Sequence, residues 1–192
     1  MSGAHRAAYD FILPRVAGNE RALDLGAGAA PLAGWLAEKG CTVYALDKSA
    51  DKLAAALRKA GGTYETIVAD ATDLSFWSDY TAPRAPVFDL IVAVFAIQHM
   101  LGGQAFVWSQ VARLLRSGGR FIVAGRNRKD APCLECDRAD PLLADNSQTL
   151  KTMAMASGLE LLEIEFVQYW DEQYRKAAAD VANQYVALLR KP

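Results

Sequence analysis

Between residue 22 and about residue 125 the chain switches repeatedly between two hydrophobic periods. Short runs that are apolar almost throughout predict strands: RALDL (Ala22 to Leu25), TVYALD, YETIVAD, FDLIVAVFAI and RFIVAG. A strand that is hydrophobic without alternation is covered on both faces, which is the condition of a parallel sheet. Between these runs, PLAGWLAEKG, ADKLAAALRKA and QAFVWSQVARLLR space their apolar residues three and four apart and predict amphipathic helices. Strand and helix therefore alternate, and that order specifies an α/β, doubly wound, mostly parallel sheet with helices on both faces.

Local punctuation agrees with the periods. Pro31 suits a first helical position, Gly40 stops that helix, Ser49 is an N-cap, and Gly61-Gly62 ends the helix after it. At the N-terminus Ala8, Phe11, Ile12 and Val16 form one helical stripe that Pro14 interrupts or ends. LSFWSDYTAPRAP reads as a polar, proline-marked connector, and Ser117-Gly118-Gly119 as a turn. SQTLKTMAMASG predicts a helix, LELLEIEFVQYW a strand and NQYVALLRK a last strand, with the charged connector DEQYRKAAADVA before it.

Composition narrows the class without naming a function. The chain has 192 residues, 52% of them apolar, enough for one sizeable core, so residues 1–192 are expected to form a single domain. A net charge of −1 supplies no field to draw it onto nucleic acid or anionic lipid, and neither partner is expected. The basic cluster Arg126-Asn127-Arg128-Lys129 reads as a solvated loop. Charges at His5, Arg6 and Asp10 break up the N-terminal segment, and no window has the apolar length of a membrane span. Three cysteines, with Cys41 far from Cys133 and Cys136, suit a reducing compartment and a cytoplasmic location.

The chemistry concentrates in ALDLGAGAAP, Ala22 to Pro31. Gly26 and Gly28 free the backbone for close approach of a ligand. A dinucleotide fingerprint wants a third small residue where Pro31 stands; here the small residue is Ala30, one place earlier, and an acid, Asp24, lies inside the strand end. That carboxylate would repel a pyrophosphate but can hold an ammonium. Asp47 ends the second strand 19 residues past Gly28, the place of an acid that accepts from a ribose diol. Asp70 ends the third; its carboxylate can accept from an adenine amino group while the Ala71 N–H meets a ring nitrogen. With Ala27 and Lys48 these residues make a candidate cofactor set. An ammonium, a ribose diol and an adenine edge with no phosphate site describe S-adenosylmethionine, whose product is S-adenosylhomocysteine.

At these residues the sequence resembles the class I S-adenosylmethionine-dependent methyltransferases. LDLGAGAAP looks like their motif I, Asp47 and Asp70 like their ribose and adenine acids, and FDLIVAVFAIQHM like their fourth-strand motif. LLRSGGRFIVAG is similar to their helix, Gly-Gly turn and fifth strand, and YVALLRKP to their closing strand. The resemblance implies a seven-stranded sheet in the order 3-2-1-4-5-7-6 with the last strand antiparallel. It implies too an N-terminal helix (1–20) that covers the cofactor and an acceptor-side region at 126–147. The fourth strand ends in FAIQ and lacks the Asn/Asp-Pro-Pro-aromatic signature of enzymes that methylate base amines, so a base amine is a poor acceptor; residues 126–147 and the short N-terminal helix leave too little extra chain for a docking domain, and a small-molecule acceptor is expected.

Candidates for the chemistry are few, because methyl transfer needs alignment more than proton transfer. Phe95, at the end of the fourth strand, either borders the sulfonium or is core packing. His99 is either a proton acceptor or a histidine that orders its loop, and Tyr9 either touches the ligands or packs. CLEC, Cys133 to Cys136, reads as loop thiols or as a contact to a thiol or metalloid acceptor; no metal is assigned, Asp145-Asn146 included. The rival functions are a cofactor-binding regulator without chemistry and a nicotinamide oxidoreductase, against which Pro31 and the lack of a recognisable hydride-site Tyr-x-x-x-Lys argue.

Overall fold

A computed structural model of the chain describes residues 3–29, 31–81, 87–100, 102–126, 147–167 and 184–192. The strands are β1 (Arg21–Leu25), β2 (Thr42–Asp47), β3 (Glu65–Val68), β4 (Phe88–Val94), β5 (Leu115–Arg126), β6 (Glu160–Val167) and β7 (Gln184–Arg190). The helices are α1 (Gly3–Ile12), α2 (Leu32–Glu38), α3 (Ala50–Lys59), α4 (Leu74–Thr81), α5 (Gln104–Leu114) and α6 (Ser147–Ala156). One seven-stranded sheet has the order β3-β2-β1-β4-β5-β7-β6, and β7 runs antiparallel to both neighbours. The order implied by the resemblance is therefore the order of the fold.

Strand alternation sorts the core into two layers. Leu23, Leu25, Ile91, Ala93, Phe121 and Val123 pack on one face with Trp77 and Trp108. Ala22, Leu90, Val92, Ile122 and Ala124 pack on the other with Tyr9, Ile12, Leu32 and Leu36. Asp24 shares the parity of Ala22 and so lies on the face that α1 and α2 cover. Arg15, just past α1, fixes this cover to the sheet: its guanidinium donates to both carboxylate oxygens of Glu163 in β6, at 2.7 and 3.2 Å, and lies 3.7 Å from the centre of the Phe11 ring.

Most local signals hold. Ser49 caps α3, its hydroxyl accepting from the Lys52 N–H. Pro31 stands one place earlier than expected, at the N-cap of α2, with its carbonyl accepting from the Trp35 N–H. Two segments differ. LSFWSDYT is no connector but helix α4, because Trp77 is 1% exposed and anchors it in the core despite the polar residues around it. Ser117–Gly119 is a bulge inside β5: the pairing jumps from Phe88↔Leu115 to Leu90↔Arg120, and Gly118, at φ 77°, donates to the Lys191 carbonyl. Cys133, Cys136, Asp145, Asn146, Ala30 and the connector DEQYRKAAADVA lie outside the described residues.

Candidate cofactor-binding site

Parallel pairing brings the carboxyl ends of β1, β2, β3 and β4 to one rim of the sheet. The chain leaving β1 turns at once across β2, since the N–H groups of Gly26 and Ala27 both donate to the Leu46 carbonyl, at 2.7 and 2.9 Å. Gly26 and Gly28 have φ of 73° and 55°, a region that disfavours side chains. A Cβ on Gly26 would also come within 2.4 Å of the Ala96 Cβ, so the loop after β4 sits directly on it. Gly28 is open by contrast, where a Cβ would find only the Asp47 carboxylate at 3.9 Å and the Gly26 carbonyl at 4.0 Å.

Asp47 knits the loops together. Its Oδ2 accepts from the Gly28 N–H at 2.9 Å and its Oδ1 from the Ser49 N–H at 2.8 Å. A carboxylate offers about four acceptor positions, so this fixed group keeps capacity for a ligand hydroxyl. Asp70 lies two residues past β3, exposed, with Oδ1 accepting from the Thr72 N–H (2.9 Å) and hydroxyl (2.7 Å). Those bonds, and then the charge of Lys48, hold its pKa below the ordinary carboxylate value. Lys48 itself is exposed, and Ala71 is buried.

Asp24 is the opposite case. It is 2% exposed and its Oδ2 has no protein partner. Burial first, then the charge of Asp47, pushes its pKa up to about 7, while the backbone N–H of Ala33 in α2 works the other way. Above it lies Tyr9, 1% exposed, its ring edge-on to Trp35 at 5.2 Å and its hydroxyl likewise without a protein partner. Burial, and then the charge of Asp24, raises the Tyr9 pKa.

Phe95 is the one non-glycine residue at positive φ among the described residues, at 54°. Such a conformation costs on the order of 1–3 kcal/mol and persists only where neighbours impose it. Here its N–H is held by the Ala124 carbonyl at 2.9 Å and its ring by His5 of α1, edge-on at 5.2 Å. His5 stands one helical turn from Tyr9, and burial lowers its pKa. His99 is exposed, on a single 3₁₀ turn (Ile97–His99), with Nε2 3.2 Å from the Gln98 amide nitrogen.

The structure thus bonds Gly28 to Asp47, and brings Asp24 within reach of the Asp47 charge and Asp70 within reach of the Lys48 charge. It adds residues that sequence reasoning missed. Trp77 donates from its indole to the Ala71 carbonyl at 2.6 Å, holding the turn that carries Asp70. Thr72 braces that turn against α5, since a Cβ on Gly103 would meet its methyl at 2.6 Å. A tryptophan soon after an IVADA strand end was the available signal for the first; the second had none. Among the described residues no group of three His, Cys, Asp or Glu is placed to hold a metal ion, and no helix is long and apolar enough to cross a membrane.

Residues 23–123, from β1 into β5, match the family described as a methyltransferase domain. The chain belongs to that family. An uncharacterized methyltransferase of Geobacillus thermodenitrificans is 30% identical over 127 residues, 65% of this chain and 56% of that one, so the match spans little more than half of the relative's length. Among solved structures, the [4+2]-cyclase SpnF superposes with a TM-score of 0.73 at 19% identity, over 97% of this chain and 81% of that chain. The 1,6-didemethyltoxoflavin-N1-methyltransferase of Burkholderia thailandensis, solved with its acceptor and S-adenosylhomocysteine bound, gives 0.72 at 16%, over 98% and 78%. These two likenesses bear on the fold alone.

Proposed function

We propose that the chain transfers a methyl group from S-adenosylmethionine to a small molecule by in-line displacement. The observation that carries this reading is the acidic rim, on which Asp24 lies next to the end of β1, Asp47 ends β2 and Asp70 follows β3 by two residues, on adjacent strands of a methyltransferase-family sheet. Asp24 would receive the ammonium, Asp47 the ribose hydroxyls, and Asp70 with the Ala71 N–H the adenine edge. Gly26, Ala27 and Gly28 would let the tail and ribose lie against backbone, and Lys48 would flank the nucleoside. The unpartnered buried Oδ2 of Asp24 and the spare acceptor positions of Asp47 fit such a molecule.

When bound, the cofactor supplies a methyl group on a positively charged sulfur. The chain's own task is to align that methyl with the acceptor and keep water out. Phe95, held at positive φ, would present its ring to the sulfonium, and α1 (within 1–20) and the 126–147 region would enclose the acceptor. Tyr9 and His99 remain the candidate groups for handling an acceptor proton. The toxoflavin enzyme's bound acceptor is a small molecule, and that supports the same class here. No nucleic-acid or membrane partner enters this reading.

A second reading, cofactor binding without methyl transfer, has one observation in its favour: SpnF carries this fold and is named for a cyclisation. Titration calorimetry with S-adenosylhomocysteine tests what both share, and Asp47→Ala and Asp70→Ala should each weaken binding roughly tenfold or more. Unchanged affinity in both folded variants would refute the site. Formation of S-adenosylhomocysteine during incubation with a metabolite library then separates enzyme from binder.

A further inference from the structure

Regular continuation of β4 would send Phe95 into the core. Along that strand Val92 and Val94 point to the layer covered by α1 and α2, and Ala93 to the opposite layer, where Trp108 and Phe121 lie. Alternation assigns Phe95 to the layer of Ala93. Positive φ breaks that alternation, and the ring meets His5, which stands one helical turn before Ala8 and Tyr9 on the buried face of α1. Among the described residues the Phe95 ring belongs to neither core layer and stays half-exposed, so core packing does not repay the cost of this conformation.

Backbone and ring are held by different neighbours. β5 holds the backbone through the Ala124 carbonyl at 2.9 Å, and Ala96, the next residue, lies against Gly26 of the glycine loop. The one aromatic partner of the ring among the described residues is His5, at 5.2 Å with the two planes 73° apart. His5 is backed by Tyr9 at 6.0 Å, and Tyr9 by Trp35 of α2 at 5.2 Å, so a row of rings ties it to the domain. A T-shaped contact leaves at least one face of Phe95 uncovered by His5, and Phe95 stands on the rim, directly past the end of β4. Such a face attracts a cation. His5 adds little positive charge beside it near pH 7, because burial first and then the charged chain terminus lower its pKa.

We propose that His5 is a positioning residue: it holds the Phe95 ring at the place of the sulfonium, and the pair makes the site prefer the charged methyl donor over the neutral product. This rests on the S-adenosylmethionine reading above, in which Phe95 faces the sulfur. It gives α1 a role beyond covering the cofactor, namely discrimination between two molecules that differ by one methyl group and one positive charge.

Titration calorimetry with S-adenosylmethionine and S-adenosylhomocysteine reads the preference as a ratio of dissociation constants, in which contacts to the shared nucleoside and amino-acid tail cancel. Phe95→Leu should lower the preference for the charged molecule roughly threefold to tenfold. His5→Ala leaves every atom of Phe95 in place and suits a helix, and it should lower the ratio roughly threefold. His5→Leu, which keeps bulk without a ring, should do the same. His5→Phe restores a ring at that position and should keep the parental ratio, with thermal melts confirming that each variant is folded. A ratio unchanged in Phe95→Leu, or lowered there but unchanged in His5→Ala and His5→Leu, would overturn the proposal while the cofactor reading stands. Loss of the preference in His5→Phe to the level of His5→Ala would overturn it as well. Failure of both molecules to bind the parent protein would overturn the two readings together.

Discussion

Asp24 and Asp70 stand at the carboxyl ends of strands in one sheet, yet the first is sealed beneath α1 and α2 and the second lies in water. Their pKa values move in opposite directions from the same starting point of 3.8. At the open end, Thr72 satisfies the carboxylate before any ligand comes, so the turn is shaped in advance. At the closed end one oxygen of the acid is left unsatisfied, which costs stability in the free protein and, on the proposed function, would be repaid by the ligand's ammonium. Buried strain of this kind is a common price of function. The acid that is easy to keep charged presents an edge for hydrogen bonding; the acid that is hard to keep charged faces where a positive group is expected.

The largest expected effect tests whether the open end is as preformed as its hydrogen bonds suggest. Trp77→Ala removes a side chain that is 1% exposed and should cost about 3–5 kcal/mol, read as a fall in urea midpoint. Trp77→Phe keeps most of the volume but strands the Ala71 carbonyl, and should cost about 1–3 kcal/mol. If Trp77→Phe bound S-adenosylhomocysteine like the parent, the indole bond to Ala71 would have no part in shaping the adenine edge.

At the closed end, Gly26→Ala should cost about 1–3 kcal/mol by overpacking, since the new Cβ would sit 2.4 Å from that of Ala96, with further strain from φ 73°. Gly28→Ala meets nothing nearer than 3.9 Å and carries only the strain of φ 55°, so it should be the milder change. Thermal melts of the two variants check the order. Equal losses would mean that backbone conformation, not the approach of the β4 loop, decides this turn.

Sequence reading went furthest where short-range rules govern. RALDL, TVYALD, the Ser49 cap and the acids at strand ends follow from period, capping and position, each decided within a few residues. It fell short where distant residues decide. One buried tryptophan turns LSFWSDYT into a helix, and cross-strand pairing with β4 and the bonds to Lys191 turn Ser117–Gly119 into a bulge. The unpartnered oxygens of Tyr9 and Asp24 were invisible because nothing in either segment shows that both are buried. The positive φ of Phe95 was equally hidden, since FDLIVAVFAI reads as extended throughout.

Asp24→Asn should act in the reverse sense on the ligand-free protein. The folded pKa of Asp24, about 7, lies above its unfolded value near 3.8. The stability contributed by the neutral acid is therefore fully present below pH 3.8 and lost as pH rises to about 7. Asparagine stays neutral at every pH, so the variant should melt higher than the parent at pH 8 and nearly equal to it at pH 3.5. In a domain of this size each kcal/mol recovered raises the midpoint by roughly 2–4 °C. A gain that did not grow with pH would contradict a charge buried without compensation.

Asp70→Asn should give the mirror image and the smallest effect. The Thr72 N–H first, then the Thr72 hydroxyl, and Lys48 after them, lower the folded pKa of Asp70 below 3.8. Its stabilisation is thus present above the unfolded value and fades as pH falls through the lowered folded one. Because Asp70 is exposed, solvent screens the effect, and the deficit of the variant at pH 7 should be under about 1 kcal/mol. Urea midpoints of parent and variant at pH 7 and at pH 2.5 decide it: the gap should narrow in acid, where that of Asp24→Asn also closes but from the other side. A deficit that stayed constant would mean that the asparagine disturbs the Thr72 turn by shape alone. The contrast between a preformed open end and a charge-reserving closed end would then rest on Asp24 only.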